Sequence, residues 1–482
     1  MSHDNSDRNP HPLYIPDLLS LICDSLDRND WFSLMRTSRP IFCAIVSYVW
    51  REVEAPVLFD LIEEGPPDDN DIKVNFSRFD LYAPFVRQLR VYGRAARYIG
   101  AKTRTSCALR AQRGSLMPNL ISLTLLTSDL YHDSDALFWL DLFLVPPLQK
   151  LHIDPLSRRY TGAWVSCPAI SAILERIGTV CNTLQQLTVY PLDITRIDQA
   201  DTSTNMFWPP CSQPDISPFA QLRRLSTGIG MLDKGGLSTL GRFPRLQYLS
   251  VDGCEEEPIT LDLSLSEESF PSLKHLTLVD MNPTNAYQLL GQKRLAERLE
   301  SLKVHRRVRY LNWEEARVTA IARLPIAISS FLAHTSRLKL FYFDISGRVT
   351  SIVNHDRNTS REFEDQLPID FSIVLRTMSK LPLEKLTLIG LSFVWGSLVP
   401  DLASAFPHLN SLNMPQYHIY SSDLHRFAKI PKLRNLCLGD VRFKGLPEIR
   451  EMSCSPIQKV QLKRFVGVER DVELPSVEEF AR

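Results

Sequence analysis

Nucleophiles, acid-base groups and metal ligands all occur among the 482 residues, but their spacing fits no catalytic pattern. A phosphate-cradling loop needs G-x-x-x-x-G-K-[ST], a zinc hydrolase H-E-x-x-H and a serine hydrolase G-x-S-x-G, and the chain holds none of them. Gly228-Ile229-Gly230 starts a dinucleotide fingerprint, yet Asp233 stands where the third glycine belongs. Ser336-x-x-Lys339 has the spacing of a serine nucleophile and its lysine base without the companion motifs of such enzymes. The eleven histidines are dispersed; His275 and His305 fall at variable positions of strands and read as solvated side chains rather than ligands. The nine cysteines are odd in number, widely scattered and never in a C-x-x-C pair, the usage of reduced thiols in the cytoplasm or nucleus. No catalytic residue, cofactor or metal is expected, and the chain is read as a binding protein rather than an enzyme.

Charge gives a second kind of chemistry. Lys plus Arg number 55 and Asp plus Glu 55, so no global field draws the chain to nucleic acid or membrane. Locally, residues 81–128 carry Arg87, Arg90, Arg94, Arg97, Lys102, Arg104, Arg110 and Arg113 with no acidic residue, and Tyr92 and Tyr98 interleave. Such a stretch can neutralise a nucleic-acid backbone or grip an acidic or phosphorylated peptide through bidentate arginines. It can equally be a solvated face balanced by nearby acids such as Asp68, Asp69 and Asp71, and the neutral total favours that. A smaller basic knot, Lys303, Arg306, Arg307 and Arg309, poses the same choice. The first ten residues are polar with no apolar h-region, and the longest apolar runs, 41–50 and 136–145, fall well short of the roughly 20 residues a membrane helix needs. A cytoplasmic or nuclear protein without membrane contact is expected.

The elements that would position these side chains follow from a recurring frame: an aliphatic residue, two variable ones, Leu or Val, one variable, then an apolar one. It occurs at Val86-Leu89-Val91, Leu120-Leu123-Leu125, Leu148-Leu151-Ile153, Leu184-Leu187-Val189, Leu222-Leu225-Thr227, Leu246-Leu249-Val251 and Leu273-Leu276-Leu278. It continues at Leu299-Leu302-Val304, Leu338-Phe341-Phe343, Leu383-Leu386-Leu388, Leu409-Leu412-Met414, Leu433-Leu436-Leu438 and Ile457-Val460-Leu462. Lead-ins recur as Phe243-Pro244-Arg245, Phe270-Pro271-Ser272, Phe406-Pro407-His408 and Ile430-Pro431-Lys432. A frame of this period predicts one short strand per repeat, with successive strands parallel and their leucines stacked into one core. Residues 168–181 and 371–381 have helical apolar spacing and each precedes a strand. Residues between the frame leucines then face a concave surface: Tyr248, Ser250, Asp252, His275, Thr277, Lys303, His305, Tyr342 and Asp344. With Arg94, Arg97 and Arg104 they are the candidate substrate contacts, a mixture suited to recognising a protein.

Ahead of the frame, residues 13–53 predict three short helices. Pro16 opens the first, with Ile15, Leu18, Leu19, Ile22 and Leu26 on one stripe; Asp30 caps a second bearing Trp31, Leu34 and Met35; Pro40 opens a third with Ile41, Ile45, Tyr48 and Val49 aligned. So small a unit buries little apolar surface and wants a partner. Ile15-Pro16, Leu18, Leu19, Ile22, Leu26, the polar turn 27–30 and Tyr48-Val49-Trp50-Arg51 resemble the F-box, particularly its divergent form in mushroom-forming fungi. The frame resembles the degenerate leucine-rich repeats common behind fungal F-boxes, without most of their Asn or Cys after the strand. The resemblance implies docking on the Skp1 adaptor of a cullin-RING ubiquitin ligase through Ile15, Pro16, Leu18, Leu19, Ile22 and Leu26, while the repeats capture a protein substrate. The alternative is a repeat scaffold or nucleic-acid-associated protein whose helical start merely caps the array.

The expected fold is α/β: a three-helix F-box-like module followed by a curved leucine-rich-repeat solenoid with parallel strands. Its expected divisions are a disordered tail at 1–11, the module at 12–55, a linker at 56–80, the array at 81–465 with loop insertions near 193–215 and 345–367, and a C-terminal cap or tail at 466–482.

Overall fold

The computed structural model describes residues 15–62, 74–92, 99–127, 133–155, 165–192, 215–233, 235–253, 261–306, 315–345, 372–389, 402–415, 419–420, 426–442 and 459–466. The chain divides into two compact units, Met1–Gln221 and Leu222–Arg482.

The first unit opens with three helices. Helix α1 (Pro16–Ser25) has its proline in the first turn, where the missing N–H costs nothing. Helix α2 (Arg28–Met35) is capped by Asp27, whose carboxylate accepts from the amides of Asn29 and Asp30 at 2.8 and 3.0 Å. The cap thus lies three residues before the expected Asp30, because only an acceptor ahead of the first turn reaches the unpaired amides. Helix α3 (Arg39–Val49) is capped by Ser38 and carries Pro40 in its first turn. Leu19 and Cys23 close against Ile41, Ile45 and Val49, with Trp31, Leu34, Met35, Tyr48 and Trp50 packed around them. Trp31 Nε1 donates to the carbonyl of Cys23 at 2.9 Å and ties α1 to α2.

The chain passes from α3 straight into a strand, β1 (Glu52–Glu54), whose Val53 sits in register with Leu89 of β2 (Gln88–Tyr92). Part of the span read as linker is therefore folded: helix Ala55–Phe59 buries Leu58 and Phe59, Leu61 and Ile62 follow them inward, and helix Ser77–Tyr82 buries Phe79. Residues 63–73 lie outside the described residues. Parallel pairing then runs through β3 (Ser122–Thr127), β4 (Lys150–Pro155) and β6 (Gln186–Val189), while β5 (Val165–Ser166) and β7 (Pro191–Leu192) pair separately. Val53, Leu89, Leu123, Leu151 and Leu187 make one buried row across these strands. Helix Cys167–Val180 covers it with Ile170, Ile173, Leu174 and Ile177.

In the second unit, β8 (Arg224–Gly228), β9 (Tyr248–Asp252), β10 (His275–Val279), β11 (Ser301–His305), β12 (Leu340–Asp344), β13 (Lys385–Ile389) and β14 (Ser411–Met414) pair in parallel in that order. Beyond them, β15 (Ile419–Tyr420) pairs with the end of β16 (Asn435–Arg442), which joins β14 to β17 (Lys459–Val466). The second and third positions of every frame found in the sequence fall on a strand of one unit or the other, in a leucine-rich-repeat architecture. Leu249, Leu276, Leu302, Phe341, Leu386, Leu412 and Leu436 form the central row, each at most 2 % exposed.

The proline lead-ins have a structural task. Ser272 Oγ donates to the carbonyl of Pro244 at 2.6 Å, and the Arg298 guanidinium donates to that of Pro271. Asn119 and Thr183 make the same bond to Pro84 and Pro146 in the first unit, at 2.8 and 2.9 Å. In each case the residue before a frame's first leucine stitches its repeat to the proline carbonyl of the repeat before it. Where β9 ends, a Cβ on Gly253 would stand 2.3 Å from Met281 Cα, so the backbones approach as only glycine permits. The insertions read at 193–215 and 345–367 fall almost wholly outside the described residues, as do residues 1–14 and 467–482.

Two substitutions test this register. Leu249→Ala should lower unfolding free energy by about 2–5 kcal/mol in a urea titration, the usual cost of a core cavity, and Tyr248→Ala by markedly less. Gly253→Ala should destabilise although it adds a single methyl group, because backbone rather than a flexible side chain must yield.

Candidate functional site

The polar face of β9 to β12 is set by the strands' two-residue alternation. With Leu249, Leu276, Leu302 and Phe341 turned inward, the residues on either side of them turn outward and line up across the ladder. Tyr248 stands beside His275, Ser250 beside Thr277, Lys303 beside Tyr342, and His305 beside Asp344. Tyr248 and His275 have ring centroids 6.2 Å apart, and Tyr248 Oη lies 3.3 Å from Thr277 Oγ1. His305 Nδ1 and Tyr342 Oη both meet Asp344 Oδ2 at 2.9 Å. The carboxylate fixes both rings, and with Nδ1 held His305 turns Nε2 away from the pair. Arg306 donates its backbone N–H to the Asp344 carbonyl.

The expected inner-face residues therefore separate into two groups. Tyr248, His275, Thr277, Lys303, His305 and Tyr342 reach the surface. Ser250, Asp252 and Asp344 share the face by register but are 8, 8 and 4 % exposed, so a partner cannot grip them directly. Asp344 positions His305 and Tyr342. Sequence reasoning missed the row just before the strands, where Lys274 pairs with Glu300 at 2.9 Å and Lys339 with Glu384 at 3.2 Å. The alternation of sign along the residue before each strand was the signal that could have revealed it. Lys339 is thus an ion-pair residue at the rim rather than the base of a Ser336 nucleophile.

Part of the basic stretch is engaged internally. Arg90 pairs with Glu52 at 2.5 Å and Arg110 with Asp80; Arg110 also lies over the Phe76 ring at 4.7 Å and Arg104 over Phe138 at 5.4 Å. The balancing acids are Glu52 and Asp80; Asp68, Asp69 and Asp71, expected in that role, lie outside the described residues, as do Arg94 and Arg97. Burial pushes the Cys107 thiol to about 12 and that of Cys181 to about 11, far from the reactive range. Gly228-Ile229-Gly230 enters a single 3₁₀ turn, Ile229–Leu232, and opens no phosphate-binding helix.

The described residues hold no group of three or more His, Cys, Asp or Glu that could bind a metal, and no helix among them is long and apolar enough to cross a membrane. No protein-family description and no curated protein matches the sequence. Among solved structures, similarity extends to an internalin of Listeria monocytogenes, at 14 % identity and TM-score 0.33 over 76 % of this chain and 95 % of that one. It extends also to the leucine-rich-repeat ectodomain of the receptor kinase GASSHO1/SCHENGEN3 of Arabidopsis thaliana, at 10 % identity and TM-score 0.19 over 74 % and 45 %.

Burial pulls the His275 pKa below its ordinary 6.5, opposed by the charge of Glu300 and reinforced by Arg224, Lys274 and Lys303. The unfolded chain then takes up the proton more readily, so the stability that His275 contributes is fully present above pH 6.5 and is lost as pH falls below 6.5 and through the lowered folded value. Urea midpoints measured from pH 8 to 5 should fall less steeply for His275→Gln than for the unaltered protein.

Proposed function

We propose that the chain is a substrate-recruiting adaptor of a Skp1-cullin-F-box type ubiquitin ligase: the helical module docks on a Skp1-like adaptor, and the repeats hold a protein substrate. The observation that carries this reading is an apolar surface on a module whose core is already closed. Leu18, Leu21 and Phe32 are 41, 67 and 42 % exposed, while Leu19 at 3 % lies inside. Large apolar side chains clustered on so small a unit favour an occupant. The docking residues are accordingly reassigned. Leu18 remains, Leu21 and Phe32 join it, Leu19 becomes core, and Ile15, Ile22 and Leu26 are half-buried. A helix admits only part of such a stripe to each face, and Leu19 with Cys23 is the pair turned toward α3. The side chain of Pro16 lies outside the described residues. Substrate capture is assigned to Tyr248, His275, Lys303, His305 and Tyr342, whose mixture of aromatic and charged groups suits a protein surface. Ubiquitin chemistry would belong to other subunits.

A second reading, a repeat scaffold whose helices cap the array, is favoured by the direct passage from α3 into β1 and by Trp50 stacked on Tyr82 at 4.4 Å. Capping shields the terminal leucine row from water and needs no adaptor.

Co-purification with Skp1 separates the two. Leu18→Asp with Leu21→Asp should cut Skp1 recovery at least tenfold, a loss of about 1.4 kcal/mol or more, without lowering the melting temperature. Leu19→Asp should instead unfold the module. Equal Skp1 recovery by the surface double variant and the unaltered chain would leave the scaffold reading standing.

A further inference from the structure

A cleft of about 850 Å³ opens at the rim before β13, β14 and β16, a size usual for ligand sites. It is built from the proline lead-ins and the first residues of three strands: Lys385, His408, Asn410, Lys432, Arg434 and Asn435 contribute its polar groups. Here the lead-in departs from the stitching seen elsewhere. His408 and Lys432 occupy the position that in other repeats donates to the preceding proline carbonyl, and Lys432 Nζ donates to His408 Nδ1 at 3.3 Å across neighbouring repeats. Both side chains stay exposed, as do those of Lys385 and Arg434.

The charge of this cleft is one-sided. Among the described residues its one acidic lining residue, Glu384, bridges Lys339 at 3.2 Å. Among the described residues neither Lys385 nor Arg434 has an ion-pair partner, in contrast to Arg90 and Arg110 of the basic stretch. Cations brought together without a counter-charge repel one another and favour any anion that enters. The Asn410 and Asn435 amides add neutral donors, and the guanidinium of Arg434 can bind two oxygens of one group at once.

We propose that this rim cleft is a phosphomonoester-binding site, with Arg434, Lys432 and Lys385 neutralising the phosphoryl group and Asn410 and Asn435 bonding its oxygens. A phosphomonoester carries about −1.5 to −2 at neutral pH on three acceptor oxygens, a closer match to three cations lining one cleft than a single carboxylate. The phosphoryl group could be borne by a protein segment or by a small molecule. The site stands apart from the face of β9 to β12 and does not depend on docking by the helical module.

The test is fluorescence polarisation with the full chain at physiological salt, using a labelled alanine-rich pentapeptide with a central phosphoserine and its unphosphorylated twin. The phosphorylated peptide should bind at least tenfold tighter. Lys385→Ala with Lys432→Ala and Arg434→Ala should remove at least tenfold of that affinity, and Lys432→Gln alone a smaller part. Lys102→Ala with Arg113→Ala, which deletes exposed cations of the basic stretch, should change nothing. Competition by inorganic phosphate would indicate that the phosphoryl group alone suffices, as a small-molecule ligand requires. Binding that resists such competition would indicate that flanking peptide contributes, as a protein ligand requires. Equal binding of the two peptides, no binding of either, or an equal loss in the Lys102/Arg113 variant would overturn the proposal. Thermal melts of each variant would separate lost binding from lost fold.

Discussion

No strand of this protein buries its own leucines. Each inward side chain is covered by its counterparts on the adjacent strands, so the structure depends on a parallel register kept from one repeat to the next. Leu249, Leu276, Leu302 and Phe341 fall in line because the strands pair residue for residue without slippage. A one-residue slip would turn this row to solvent and bring Tyr248, His275 and Lys303 inside. The recurrent donation to proline carbonyls acts in the same sense. Where it occurs, it fixes a repeat against the last at a point where the backbone has turned and the sheet's own bonds have not yet begun.

A ladder of this kind has ends, and an open end exposes both a row of leucines and a strand edge. At the beginning of the array the helical module meets that need through β1, which places Val53 in the leucine row directly after α3. Trp50 on Tyr82, Arg90 with Glu52 and Tyr92 Oη donating to Glu54 at 3.1 Å hold the junction. The module is thus continuous with the array, and among its described residues the exposed large apolar side chains are Leu18, Leu21 and Phe32.

The ladder also disposes the polar groups. Outward rows bring unlike residues from distant repeats side by side, and what each does depends on its neighbours. Asp344 is shielded and aligns His305 and Tyr342; Glu300 and Glu384 neutralise lysines of adjacent repeats; Lys385, Lys432 and Arg434 line one cleft, where Lys385 and Arg434 have no ion-pair partner among the described residues. The two proposed recognition sites therefore both lie in the second unit, one on the face of the strands and one at their rim.

The sequence by itself determined the strands that carry the frame, their parallel order, the inward identity of the frame leucines whose burial is described and the three helices at the start. Periodicity and proline placement are local, and local spacing is what these elements obey. The strand β1 escaped notice because Trp50 replaces the frame's leading aliphatic and the segment reads as the tail of a helix. The Asp27 cap was misplaced by three residues because adjacent acids look alike until backbone geometry selects one. Only the tertiary structure decided which side chains remain available. Leu19 and Leu18 are equivalent in a helical pattern, yet α3 covers one and not the other; Asp344 and Lys303 are both outward by alternation, yet neighbours bury the first. Likewise the cationic side chains of the basic stretch are conspicuous in sequence but partly neutralised in space, whereas Lys385, Lys432 and Arg434 are scattered over some fifty residues and become a cluster only when three repeats stack. Exposure and charge balance are sums over neighbours, and in a stacked array most neighbours come from other repeats.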